Sequence, residues 1–279
     1  MNFENLINEL KESGIEAEGI TVCKNGCECT GIRVINPDCP NISPIIYYST
    51  EETIESVLSR ISSVMEHNPT TFDLECLNDP AYIMQNVYFS IQKTGSGNGE
   101  DLLKKNCLNL ELVLRVAMSL GDSIGSIKIP RPLLEKNGLN ENVLWKTAAD
   151  NMRHRFIIMT MADMLGIPEE IIGKTPFYVC TTDSHTNGAS VLAFPDIFHR
   201  FCAEKEMEKV YILPSSTEEV LICPADLVDS SSILADMVRD VNASCVDPLI
   251  QLEPVVYCYD YNSNKLTITA MSEGGRLDG

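Results

Sequence analysis

The sequence predicts an α+β protein in which antiparallel β-hairpins and sheets are interleaved with and covered by helices, in two lobes, residues 1–125 and 126–279. Three observations carry that expectation. Near each end of the chain, two β-like runs close around an Asn-containing turn, Lys24-Asn25-Gly26 and Asn262-Ser263-Asn264. Asn-Gly is the strongest short-range hairpin signal. Amphipathic helical stretches alternate with these runs, and hairpins mixed with helices give antiparallel sheet under a helical cover. The 279 residues, 44 % of them hydrophobic, suffice for a sizeable packed core. No 20–50-residue repeat and no coiled-coil heptad is present.

The elements follow in order. Phe3, Leu6, Ile7 and Leu10 fall at helical spacing, with Gly14 placed to end that helix. Ile20–Cys23 and Cys29–Ile35 are the hairpin strands, and Ile42–Tyr48 is a third. Thr50 is the expected cap of the next helix, with Glu51 and Glu52 at its positive end. Asp79–Asn86 is a short helix, and Val87–Gln92 and Leu108–Ser119 are strands. Pro130-Arg131-Pro132 is expected to break the chain. Asn140–Arg155 and Phe156–Leu165 are expected as two successive helices. Pro176–Thr181 and Ala189–Phe194 are expected strands around a turn at 183–188, and Pro195–Lys205 is a helix. Val210–Leu213 and Glu219–Cys223 are strands. Asp229–Asn242 is a helix with Ile233, Met237 and Val241 on its apolar face and Asn242 as its C-cap. The hairpin Val255–Tyr261 and Lys265–Ala270 closes the chain.

Charge excludes some functions. Acids outnumber bases 40 to 21, a net −19. That opposes broad binding to nucleic-acid backbones or anionic membranes, both of which need basic surface. The acids concentrate at the ends, −7 over residues 1–67 and −9 over 196–279, against −3 between. This pattern suggests acidic faces for a basic protein partner. The N-terminus lacks a basic and apolar leader, no 18-residue apolar window occurs, and the cysteine count of 11 is odd. A cytoplasmic protein with free thiols is the expectation.

Candidate chemistry is sparse. Cys23, Cys27, Cys29 and Cys39 form the one local cysteine cluster, a weak candidate for a zinc-stabilised module because its spacing is not the usual C-x2-C or C-x4-C. The run from Gly95 to Gly99 follows a strand and precedes an expected helix, yet it lacks both phosphate-loop patterns. No two of His67, His154, His185 and His199 lie at i, i+4, and only His185 neighbours a hydroxyl and a carboxylate. Ser215, Ser216, Glu218 and Glu219 fall on a turn between two strands, with Asn187 and Gly188 on another. These six are the candidate partner-binding residues. No cofactor is implied.

The chain resembles an uncharacterised bacterial family, the domain of unknown function 5688 of gut Firmicutes. The likeness runs from Lys24-Asn25-Gly26, Thr30-Gly31 and Asn41–Tyr47, through Ala148–Asn151, to Asn187–Leu192 with Pro195-Asp196. It continues at Tyr211–Ser216, Met237–Asn242 and Val256–Asp260. Thr217-Glu218-Glu219 stand where that family tends to have Ile-His-Glu, and the Gly95–Gly99 stretch also departs. The resemblance implies a fold shared over the full length and a bacterial, cytoplasmic setting, with a link to mobile elements or phage. It brings no activity. The functional expectation is a non-enzymatic acidic protein-binding factor, an accessory or inhibitory protein. The alternative is a small hydrolase using Ser215 or Ser216 with Glu218, or using His185, and the zinc module is the second alternative.

Overall fold

The computed structural model describes residues 3–35, 43, 45–48, 52–66, 74–96, 101–120, 123–173 and 175–272. The fold is α+β, with antiparallel sheets throughout the described residues. At the N-terminal end, α1 (Phe3–Glu12) buries Leu6, Ile7 and Leu10 against a sheet ordered β1 (Ala17–Lys24), β2 (Cys27–Val34), β3 (Ile45–Tyr47). Asn25 (φ 50°) and Gly26 (φ 78°) make the two-residue turn. Both φ values are positive, as the turn that matches strand twist requires. Val57 and Ile61 of α2 (Ile54–Glu66) complete this core. Thr53 caps α2, its hydroxyl accepting from Ser56 N at 3.3 Å; the expected cap, Thr50, lies outside the described residues, as do Cys39, His67 and residues 97–100.

The middle of the chain builds a sheet around one long strand. After α3 (Pro80–Asn86), capped by Asp79, β4 (Val87–Lys93) pairs with one edge of β6 (Leu110–Leu120). Along its other edge β6 pairs with β5 (Lys104–Cys107) and then β7 (Ser123–Lys128). One face carries Val87, Phe89, Ile91, Leu112, Leu114 and Val116, all buried. Helix α5 (Glu141–Arg153) packs there through Leu144, Trp145, Ala148 and Met152. The short α4 (Arg131–Lys136) begins within the predicted break, with Pro132 in its first turn. Proline is favoured there because that N–H has no helical partner to lose.

The last third forms a six-stranded sheet ordered β13-β12-β10-β11-β9-β8. Its strands are β8 (Phe156–Thr160), β9 (Tyr178–Thr182), β10 (Lys209–Leu213), β11 (Val220–Pro224), β12 (Val255–Asp260) and β13 (Lys265–Met271). Val210, Ile212, Val220, Ile222, Tyr257 and Tyr259 face the core shared with the middle sheet, joined by Phe198 and Phe201 of α8 (Pro195–Lys205). Leu213, Cys223 and Val256 face α9 (Ser231–Cys245).

Several expectations are corrected. Phe156–Thr160 is an edge strand, and only Met161–Leu165 is helical (α6), with Thr160 as its capping-box residue. A short apolar run fits either state by periodicity, and the Thr cap decides where the helix starts. Four further residues form α7 (Glu169–Ile172). Ala189–Phe194 is no strand: Gly188–Ala193 is a buried 3-10 turn. The segment after the Gly-rich run is no helix either; Leu102 bridges Pro130 and leads into β5. In α9 the buried stripe is Leu234, Ala235, Val238 and Asn242, while Ile233 is 60 % exposed. Asn242 lies inside the helix and donates to Leu252 O at 3.0 Å instead of capping it.

Candidate functional site

The turn after β9 and the loop before β11 meet. Glu218 is the joint. Its carbonyl accepts from Gly188 N (2.8 Å) and Thr181 Oγ1 (2.9 Å), and its carboxylate accepts from Asn187 N (3.1 Å) and Thr217 Oγ1 (2.9 Å). Ala189 N donates to Thr217 O at 3.2 Å. Asn187 can make this turn because Asn tolerates φ 58°. Its side chain donates to Phe89 O at 2.8 Å and accepts from Ser190 Oγ at 2.7 Å, which ties the turn to β4. Gly188 is required by space: a Cβ there would sit 2.5 Å from Glu218 O.

The six candidate residues therefore do gather, except for the outlying Ser215 and Glu219. Ser216 is 3 % exposed, its Oγ accepts from Glu218 N at 3.1 Å, and it bridges Gln251 across the chain. Ser215 contributes its carbonyl to Leu252 N at 3.1 Å. Burial, followed by the charge of Glu218, holds the Glu219 carboxyl above its usual range. The Ser216 hydroxyl meets a backbone N–H where the hydrolase alternative needs a carboxylate or imidazole. His185 sits exposed at the turn tip with φ 55°. In the hairpin, Cys27 pairs with Lys24 and Cys29 with Val22, while Cys23 pairs with Glu28. Alternation along a strand then puts Cys27 and Cys29 on one face and Cys23 on the other. Among the described residues no three His, Cys, Asp or Glu side chains gather as a metal site.

Beside the joined loops lies a cleft of about 840 Å³, within the usual size of ligand sites. Its floor is the second face of the middle sheet. Tyr88 of β4, Arg115 of β6 and Lys128 of β7 are directly opposite one another across three strands, with Ser90 and Ser126 nearby. Its walls include Thr182, Ser184, Thr186, Asn187, Thr217 and Glu218. Asn25 closes one end, accepting from Lys93 N at 3.1 Å and donating to Gln251 O at 2.5 Å. Among the described residues four that line it are cationic, Lys24, Arg115, Lys128 and Arg155, and Glu218 is the lone lining carboxylate. Arg155 is neutralised by Asp183, to which Nη2 donates at 2.8 Å. Arg115 donates from Nε to Ser126 Oγ at 3.0 Å and makes no ion pair among the described residues. Inspection of single motifs missed this floor. The available signal was the polar alternation Tyr88, Ser90, Gln92 on one strand, which becomes a site only once strand register places Arg115 and Lys128 beside it.

The chain matches the family model described as Family of unknown function (DUF5688) over residues 2–261, nearly its full length. No curated protein and no solved structure matches it.

Proposed function

The chain belongs to the DUF5688 family, and we propose that it acts as a binding protein that receives a segment of a partner protein in the cleft. The turn 183–188 and the loop 215–219 form the rim. The observation that supports this function best is the bracing of that rim. Gly188 N, Ala189 N, Asn187 N and Thr181 Oγ1 hold two distant parts of the chain side by side through Glu218 and Thr217. A wall held in one geometry loses little freedom on association, which is how preorganised sites gain affinity. The polar atoms of Asn187, Ser216 and Glu218 are used in holding the wall, and Ser184, His185 and Thr186 form its exposed tip, with the Ser184 and Thr186 hydroxyls hydrogen-bonded to each other at 3.1 Å.

Site-specific photo-cross-linking tests this. A photoreactive residue at Thr186, introduced into the full chain and irradiated in extract of the organism that makes it, should give one discrete adduct. Excess unlabelled protein should compete it away. The same probe at Lys265, exposed on the closing hairpin, should not give it. No competed adduct at Thr186, or the same adducts from both positions, overturns the proposal.

A further inference from the structure

We infer that the floor of the cleft is a site for a phosphoryl group, held by Arg115 and Lys128 with the hydroxyls of Tyr88, Ser90 and Ser126. This rests on the cleft being a binding site, and not on the occupant being part of a protein.

The register brings the parts together. Tyr88, Arg115 and Lys128 form one cross-strand row, and two residues along β6 Ser126 lies opposite Ala117 on the same face. Arg115 makes no ion pair among the described residues, and its one hydrogen bond, through Nε to Ser126 Oγ, leaves the outer nitrogens of the guanidinium fork available. Tyr88 and Ser90, alternate residues of β4, line this same cleft with their hydroxyl-bearing side chains. Every polar side chain of this floor is a donor or can act as one.

Ligand chemistry follows from that donor set. A phosphoryl group offers three oxygens and up to two negative charges, and an arginine fork binds two of those oxygens in one plane. A lone carboxylate has only two oxygens and would leave part of the row without an acceptor. Arg155, already neutralised by Asp183, and Glu218, engaged by Asn187 and Thr217, sit on the walls as structural groups. The phosphoryl group can come from a free phosphorylated small molecule or from a phosphorylated side chain of the partner. The chemistry is shared.

Calorimetric titration of the full chain at low salt tests both sources. The probes are inorganic pyrophosphate and a short phosphoserine peptide, with the unphosphorylated peptide as control. At least one phosphorylated probe should bind in the submillimolar range, and the control should not. Arg115→Gln should weaken binding about tenfold or more, because charge-assisted bidentate bonds are the strong ones. Tyr88→Phe, which removes one donor and no charge, should weaken it several-fold and guards against a folding defect in the arginine variant. Arg239→Gln, on α9, should change nothing. Tighter binding of the peptide assigns the phosphoryl group to a partner side chain, and tighter pyrophosphate assigns it to a small molecule. Absence of binding by either probe, or binding unaffected by both Arg115→Gln and Tyr88→Phe, overturns the inference. If pyrophosphate binds and the Thr186 cross-link fails, the phosphoryl site stands and the protein partner falls. The converse result separates them the other way.

Discussion

Replacing Gly188 by Ala probes the rim at its tightest point. The new Cβ would lie 2.5 Å from Glu218 O, 2.7 Å from Thr181 Cα and 3.0 Å from Cys180 O. All three atoms are backbone, so no side chain can swing away. Ordinary contact begins at 3.4 Å, and the Glu218 carbonyl must therefore retreat by about 0.9 Å. That carbonyl accepts from Gly188 N and from Thr181 Oγ1, and both bonds stretch with it. Gly188 is not among the glycines with positive φ, so backbone preference neither adds to the penalty nor relieves it. Overpacking costs about 1–3 kcal/mol and weakening two hydrogen bonds about 1 kcal/mol more, for a total of about 2–4 kcal/mol. Urea denaturation followed by circular dichroism reads this as a lower midpoint at unchanged slope. A loss below about 0.5 kcal/mol, the range of ordinary surface substitutions, would show that the two loops are not locked as described.

Three other outcomes follow from the same geometry. The Glu219 carboxyl is held above its usual range by burial and then by Glu218. A raised folded value means that its contribution is present below the unfolded value near 4.3 and is lost as pH rises through the folded one. Glu219→Gln should therefore raise the thermal midpoint at pH 7 and leave it unchanged near pH 4; equal gains at both pH values refute this. Burial pushes the Cys180 thiol up to about 12 and the Cys107 thiol to about 11, while Cys245 is exposed. Iodoacetamide at neutral pH should label Cys245 in the native protein and Cys180 only after denaturation, and simultaneous labelling contradicts the burial. Asn25→Gly keeps the positive φ but removes the bonds to Lys93 and Gln251, for about 1–3 kcal/mol in urea denaturation. Asn25→Ala should cost about 1–2 kcal/mol more because Ala resists the left-handed region, and equal losses would remove the turn from the explanation.

Where local chemistry decides structure, the sequence was readable. Asn25-Gly26 marks the hairpin turn, although its strands run to Lys24 and from Cys27, beyond the expected Cys23 and Cys29; the helices expected from Asp79 and Asn140 begin one residue later, with those two as caps, and Pro195 opens α8. Elements decided by neighbours were not. Phe156–Thr160 is a strand because β9 pairs with it. Gly188–Ala193 turns tightly because Glu218 and Thr217 take its first N–H groups. In α9, Ile233 and Leu234 are equally apolar, and only the placement of the helix over Leu213, Cys223 and Val256 decides which is buried. The candidate site divides in the same way. Asn187, Gly188, Ser216 and Glu218 stand out as turn residues and do converge. Arg115 and Lys128 are ordinary residues of two strands until pairing places them opposite each other.

The cationic floor also alters what the net charge of −19 implies. A polyanion binds through many phosphates spread over a basic surface, and a strongly acidic exterior opposes that. A single phosphoryl group needs only the field inside one cleft. Exposed charges farther than about 8–10 Å are largely screened at physiological salt, while partly buried ones are screened much less. Of the acids concentrated in residues 1–67 and 196–279, Glu218 alone lines this cleft among the described residues, and its carboxylate is engaged by Asn187 and Thr217. Affinity then comes from bonds made after entry and not from long-range attraction, which slows capture and favours ligands that fit the row over anions in general. On the phosphoryl-site inference, a small cationic floor in an acidic protein reconciles selectivity against nucleic acid with receipt of one phosphoryl group, two properties that net charge alone would place in conflict.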